Sequence, residues 1–263
     1  MEREIWVFET RFSIIVSVIY SLYVWGLGVI VTLFLGGATL FLSLFAKSQT
    51  IHKISGLWAR LICKISGVRV EIKGKENINP RGPQIFLANH QGFFDIFAIA
   101  GFFNVPFIWF AKKGLFFIPL VGSAMSKAGY ISVDRSKPLS SARSLKTAVR
   151  RLRSGMSIVI FPEGTRTVDG SVSKFKKGSL FLAIKSRVPI VPVTIAGSYE
   201  VLKKGSMLIR PGKIIIQLGP PISTESLTKT GEVELLENIY ETIETSLLGL
   251  NKSFAPTVEG SDV

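Results

Sequence analysis

From Phe12 to Ala46 the chain runs 35 residues without one charged side chain, and no other feature restricts its fold as tightly. About 20 apolar helical residues are enough to cross the hydrocarbon of a bilayer. As a single α-helix this run measures roughly 52 Å, at about 1.5 Å per residue. It is too long for one upright span and too short for two full ones. Gly26, Gly28 and the pair Gly36-Gly37 offer places to break it, because glycine lacks the Cβ that restricts the backbone. Two readings follow: one long tilted span, or a helical hairpin dipping into one leaflet. A buried core helix is normally shorter. A cleaved signal peptide has a basic end and an apolar run of about 7–15 residues, whereas Glu2, Glu4 and Glu9 outnumber Arg3 over Met1–Thr10.

Ile51–Gly67 follows, with Ile51, Ile54, Leu57, Trp58, Leu61, Ile62 and Ile65 at i, i+3, i+4 spacing and Lys53, Arg60 and Lys64 elsewhere on the surface. A basic amphipathic helix with Trp beside an anchor suits a membrane interface. The same pattern suits a helix packed on its own domain. Lys47, Lys53, Arg60 and Lys64 follow the apolar run, and the segment before it is nearly neutral. That asymmetry predicts a membrane protein whose remaining domain lies on the cytoplasmic face, at the inner membrane if the source is bacterial.

Charge is unevenly distributed. The chain carries a net +14, with −1 over residues 1–46, +21 over 47–224 and −6 over 225–263. A field of that sign draws anions: phospholipid head groups, nucleic acid, an acidic carrier protein or a phosphorylated substrate. A hydrophobic content of 47% is too high for a disordered chain. A lone cysteine, Cys63, excludes a disulfide framework and any CxxC motif. Two histidines, His52 and His90, are too few for a His-rich zinc centre. No metal is implied.

After Gly67 short apolar runs alternate with helical stretches. Strands are predicted at Val68–Lys73, Gln84–Ala88, Phe107–Ala111, Tyr130–Val133, Ile158–Phe161, Ile190–Ile195 and Ile214–Leu218. Helices are predicted at Asp95–Gly101, Ser140–Arg153, Lys177–Ser186 and Gly231–Leu247. This alternation predicts an α/β domain, a mixed and largely parallel sheet flanked by helices, behind an N-terminal membrane-embedded helical segment. The expected division is an anchor and interfacial helix over residues 1–66, one further domain over 67–250 and a flexible tail over 251–263.

Three constellations can carry chemistry. In Asn89-His90-Gln91-Gly92-Phe93-Phe94-Asp95, residues five apart point about 140° from each other on a continuous helix. His90 and Asp95 therefore meet only if the chain turns between them, which Gly92 eases. A carboxylate on one imidazole nitrogen fixes the tautomer and frees the other nitrogen as a base. Taken alone, His90 fits equally a satisfied buried histidine and Asp95 a helix-start acid. In Phe161-Pro162-Glu163-Gly164-Thr165-Arg166, Gly164 permits close backbone approach and Arg166 is a fork-shaped phosphate donor. The bland alternative is a polar turn. Gly129-Tyr130-Ile131-Ser132-Val133-Asp134-Arg135 is a strand ending in a cation, or a surface Asp134–Arg135 pair.

With Val188-Pro189-Ile190-Val191-Pro192-Val193, these blocks stand in an order that resembles the glycerolipid acyltransferase family, most closely its 1-acylglycerol-3-phosphate acyltransferases. The resemblance implies transfer of a fatty acyl group from acyl-CoA or acyl-acyl carrier protein to lysophosphatidic acid, in a membrane, without nucleic acid or cofactor. His90 would be the general base and Asp95 would hold its ring. Arg135 and Glu163, Gly164, Thr165 and Arg166 would bind the acceptor phosphate, as would Lys113, with Lys112 as its alternative. Many members carry Ser where this chain has Gly92. No covalent intermediate is needed, and the chain contains no GxSxG elbow. The Phe-rich run of Phe93-Phe94, Phe102-Phe103, Phe107, Phe110 and Phe116-Phe117 suits an acyl slot, or simply a core. Two rival readings keep a different acceptor (another lysophospholipid or a lyso-aminolipid) or no chemistry at all, only binding of anionic lipid.

Overall fold

The computed structural model describes residues 2–42, 45, 48–134, 138–225, 227 and 231–254. All the predicted strands form: β1 (Val68–Lys73), β2 (Ile85–Ala88), β3 (Phe107–Lys112), β4 (Ile131–Val133), β5 (Ser157–Ile160), β6 (Ile190–Ala196) and β7 (Gly212–Leu218). They make one sheet in the order β1-β7-β6-β2-β5-β3-β4. Neighbours from β6 to β4 are parallel, β6 and β7 are antiparallel, and β7 and β1 are parallel. Five adjacent strands therefore end on the same edge of the sheet.

The strand sequences explain why both faces are covered. Every residue of β2 and β6 is buried, as expected for continuous apolar runs sandwiched between helices. Side chains alternate between the two faces. Phe86, Trp109, Val159, Val191 and Val193 join one core, with α2 (Ser48–Ile65), α3 (Phe94–Phe102) and Val24 of α1 (Glu2–Leu42). Ile85, Leu87, Ile108, Ile158 and Ile190 join the other, with α5 (Pro138–Arg153), α6 (Phe181–Ser186) and α8 (Gly231–Lys252). Burying each such side chain contributes about 1.5–3 kcal/mol. Two short helices have no counterpart in the predicted pattern, α4 (Val121–Lys127) and α7 (Ser198–Val201). Helices this short show no full apolar period. The predicted Lys177–Ser186 helix begins as a 3-10 turn at Lys177–Leu180. Of the segment expected as a tail, 251–263, residues 251 and 252 belong to α8, which runs through Lys252; residues 255–263 lie outside the described residues.

The hairpin reading of the apolar run is not what forms. Over its described residues α1 is continuous from Glu2 to Leu42, and 30 residues of it, Ser13–Leu42, are long and apolar enough to cross a membrane. None of its glycines breaks the helix; Gly26 and Gly37 face open space, whereas Gly28 and Gly36 sit at packing contacts. A Cβ on Gly28 would lie 3.6 Å from Ile62, and one on Gly36 3.2 Å from Leu120. The rest of the domain holds α1 along its length. Ile209 N–H donates to Ser21 Oγ at 2.9 Å, Trp25 Nε1–H to the Met207 carbonyl at 2.9 Å, and Trp58 Nε1–H to Thr32 Oγ1 at 3.0 Å. The opposite side of α1 is an apolar stripe with Ile19, Leu22, Ile30, Leu33 and Phe34 all more than half exposed.

The apolar face of α2 turns inward. Ile51, Ala59, Ile62 and Cys63 are buried, α2 packs on α3, and Arg60 Nη1 donates to the Gly101 carbonyl at 2.7 Å. Of the two readings of this helix, the packed one describes its contacts.

Candidate active site

β2 delivers Asn89 and His90 to the shared carboxyl edge, where ligands of open α/β sheets generally bind. Asn89 extends the ladder by one side-chain rung: its Nδ2 donates to the Ile195 carbonyl at 2.9 Å, and Ile195 N–H donates to its Oδ1 at 2.7 Å. The rung is fully buried, so it aligns the end of β2 with β6 just where His90 begins. The chain then turns, and His90 Nδ1 lies 2.7 Å from Asp95 Oδ2. Asp95 sits in the first turn of α3 with no exposure. Its Oδ2 also accepts from Gly92 N–H at 3.0 Å, and its Oδ1 accepts from the Ser198 hydroxyl. The carboxylate is thus paired on both oxygens, as burial demands. His90 Nε2 has no hydrogen-bond partner among the described residues, and the ring is 14% exposed.

The reason for Gly92 differs from the one expected. Its φ is not positive; a Cβ here would come within 2.4 Å of the Ser198 carbonyl oxygen. Glycine is required by the close approach of α7, so a family-like serine has no room in this chain.

The His90 ring is clamped from one side. It stacks on Phe161 at 3.9 Å and 13°, and Phe161 stacks in turn on Trp109 at 5.6 Å and 17°. Its backbone is held too: His90 N–H donates to Glu163 Oε1 at 2.6 Å, and its carbonyl accepts from Thr167 N–H at 2.9 Å. Glu163, expected at the acceptor phosphate, faces inward. It is 4% exposed, and its second oxygen accepts from Ser173 N–H at 2.8 Å. Burial lifts its carboxyl above the ordinary value, and the hydrogen bonds from Ser173 and His90 partly offset that rise.

The rest of the β5 loop faces outward. Gly164 has φ 75°, and a Cβ there would meet Lys176 Nζ at 2.5 Å. Thr165 is exposed, and Lys204 Nζ donates to its Oγ1 at 3.1 Å and to the Arg166 carbonyl at 3.2 Å. The Arg166 guanidinium lies over the Phe93 ring at 5.8 Å. Lys176 and Lys204 therefore add two cations to the loop that sequence motifs did not disclose. Lys113 follows β3, two strands from β2, which is about 10 Å along the sheet. It is exposed, and its Nζ lies 3.9 Å from Asp134 Oδ2. Lys112, its alternative, ends β3 and is also exposed. Arg135 lies outside the described residues.

The Phe-rich run divides. Phe94, Phe103 and Phe107 are buried in edge-to-face contacts with Phe97, Phe86 and Trp109, so they build core. Phe117 is 74% exposed. Cys63 is buried and desolvation pushes its thiol up to about 12, which removes it as a nucleophile.

A family model described as Acyltransferase matches residues 69–196. The 1-acyl-sn-glycerol-3-phosphate acyltransferase of Limnanthes douglasii is 32% identical over 207 residues, 78% of this chain and 72% of that protein. This chain belongs to the same acyltransferase family. The Limnanthes alba enzyme of the same name is 35% identical over 72% of this chain and 66% of its own length. That of Pseudomonas aeruginosa is 34% identical over 61% of this chain and 62% of its own. The chain thus spans about two thirds of the length of these curated relatives. Among solved structures, the 1-acyl-sn-glycerophosphate acyltransferase of Thermotoga maritima superposes with a TM-score of 0.81 at 29% identity, covering 90% of this chain and 97% of that one. The mixed, largely parallel sheet with its N-terminal apolar helix is therefore the family's acyltransferase fold, and residues 69–196 contain His90, Asp95 and the Glu163–Arg166 loop.

Proposed function

We propose that this chain moves a fatty acyl group from an acyl thioester, acyl-CoA or acyl-acyl carrier protein, to the sn-2 hydroxyl of 1-acylglycerol 3-phosphate, giving phosphatidic acid. The observation that carries the reading is the His90 Nδ1–Asp95 contact of 2.7 Å at the carboxyl edge of the parallel strands. Asp95 holds the proton on Nδ1 and leaves Nε2 unprotonated. Nε2 takes the proton of the acceptor hydroxyl as its oxygen attacks the thioester carbonyl. The tetrahedral intermediate collapses, the C–S bond breaks, and the imidazolium returns the proton to the leaving thiolate. A positioned base of this kind contributes roughly 10²–10⁴ in rate.

Arg166, with Lys113 and Arg135, neutralises the acceptor phosphate through charge-assisted hydrogen bonds. Lys176 and Lys204 raise the local positive potential. Glu163 serves by holding the backbone of His90, and Gly164 and Thr165 form the bend that presents Arg166. The names of the relatives support this acceptor.

The contacts from Ser21 to Gly36 argue for how the lipid arrives. Sixteen residues of helix extend about 24 Å, most of the roughly 30 Å hydrocarbon thickness. An upright crossing would drag the attached loop, with Lys203, Lys204 and Arg210, into the bilayer. We therefore place α1 lengthwise in one leaflet, its exposed stripe in lipid and the catalytic domain, residues 67–250, on the cytoplasmic side.

The test is thiol release from an acyl thioester by purified protein with a panel of acceptors. Lysophosphatidate should support release, glycerol 3-phosphate and lysolipids with larger head groups should do so poorly, and His90→Ala should lose about 10²–10⁴ of it. Equal rates in wild type and variant would remove His90 as the base.

A further inference from the structure

The catalytic reading uses the carboxyl edge of the sheet and leaves α5 unexplained. Its sequence, Pro138–Arg153, contains five cations and no acid. Arg143, Lys146, Arg150 and Arg153 recur at i, i+3, i+7 and i+10, so they form one stripe on one face, and all four are exposed. α5 packs on α6, which adds exposed Lys185 and, just beyond it, Arg187, again without an acid. A stripe of this kind repels itself unless an anion meets it.

α5 belongs to the core on one face of the sheet and α1, whose bare side we place in lipid, to the core on the other, so the stripe and the lipid-facing side belong to different faces. One end of the stripe reaches a candidate site residue, Lys113. Arg143 shares with Lys113 a cleft of about 340 Å³, completed by Ser126, Ser132, Thr147 and Arg151, and Lys113 follows β3 at the edge where His90 lies.

We propose that the α5 stripe docks the acyl donor in the form of an acidic carrier protein, whose thioester arm enters through the Lys113–Arg143 cleft. The exposed residues run for about 15 Å along a convex helix, a surface that fits another protein better than a nucleotide. The proposal rests on the acyltransferase reading for its purpose.

The experiment compares full-length wild type, Lys146→Glu/Arg150→Glu, and a control of equal charge change, Arg69→Glu/Lys75→Glu, at the far β1 edge. All three are reconstituted in vesicles. Each is given lysophosphatidate and the same fatty acyl chain either on acyl carrier protein or on CoA, and carrier-protein binding is measured separately by fluorescence anisotropy. Reversal on α5 should raise KM for the carrier-protein donor about tenfold, weaken anisotropy binding in parallel and flatten the salt dependence of kcat/KM. The control should change neither. Equal losses with both donors, unchanged carrier-protein kinetics, or release of the α5 variant from vesicles would overturn the docking proposal, the last making the stripe a lipid contact. No acyl transfer by wild type from any donor would sink the acyltransferase reading instead; carrier-protein binding lost on α5 reversal would still stand, and binding unaffected by it would end the docking proposal as well.

Discussion

The carboxylate of Glu163 accepts from the amides of His90 and Ser173, so the residue after β5 fixes the backbone of the residue after β2. Glutamine has the same shape but turns an NH₂ toward one of those donors. Glu163→Gln should therefore leave a buried N–H unpaired, at a cost of about 1–3 kcal/mol, and lower the melting temperature by a few degrees. The pH dependence has a definite sign. The folded carboxyl is raised above its ordinary 4.5 by burial, so its contribution is fully present below about 4.5 and is lost as pH rises through the folded value. Glutamine has no such loss. Denaturant midpoints of both proteins should differ most near pH 4.5 and converge toward pH 7.5; a gap that grows with pH would reverse the assignment. At this scale the motif residues His90, Asp95 and Arg166 were legible because their types and spacing are chemical. Ser198 was not, lying 103 positions from the Asp95 it contacts. Nor were Lys176 and Lys204, two lysines among many. Glu163 was legible as part of a motif, but its inward direction was not.

Among the elements, the strands and long helices follow from period and length, while α4 and α7 are too short to show either. The amphipathic pattern of α2 did not say what its apolar face meets; α3 and the sheet meet it. For α1, length alone left open a span or a hairpin, and the contacts at Ser21, Trp25 and Thr32 give it one partnered and one bare side. Leu33→Gln/Phe34→Gln, on the bare side at 56% and 75% exposure, removes roughly 1.5–3 kcal/mol of lipid burial per side chain. Flotation should find a larger share of this variant free of vesicles, with a melting temperature in detergent close to wild type. Undiminished flotation would mean that the stripe does not face lipid.

For the whole molecule the two faces of the sheet have different neighbours, α1 and α2 on one side and α5, α6 and α8 on the other. Apolar attachment and ionic recognition should consequently separate under salt. At 1 M the Debye length is about 3 Å, so vesicle association through α1 should persist while KM for lysophosphatidate rises. Release from vesicles at 1 M salt would instead mean ionic anchoring by the +21 central segment. The sequence by itself determined the strands and the apolar helix and singled out the candidate reacting groups, because each is written in local periodicity, unbroken length or residue type. Only the tertiary structure decided that Gly92 is a matter of space against Ser198, that Glu163 braces His90, and that one side of α1 is partnered by Ile209, Met207 and Trp58. Each of those depends on contacts between residues far apart in the chain, and such contacts leave no local pattern to read.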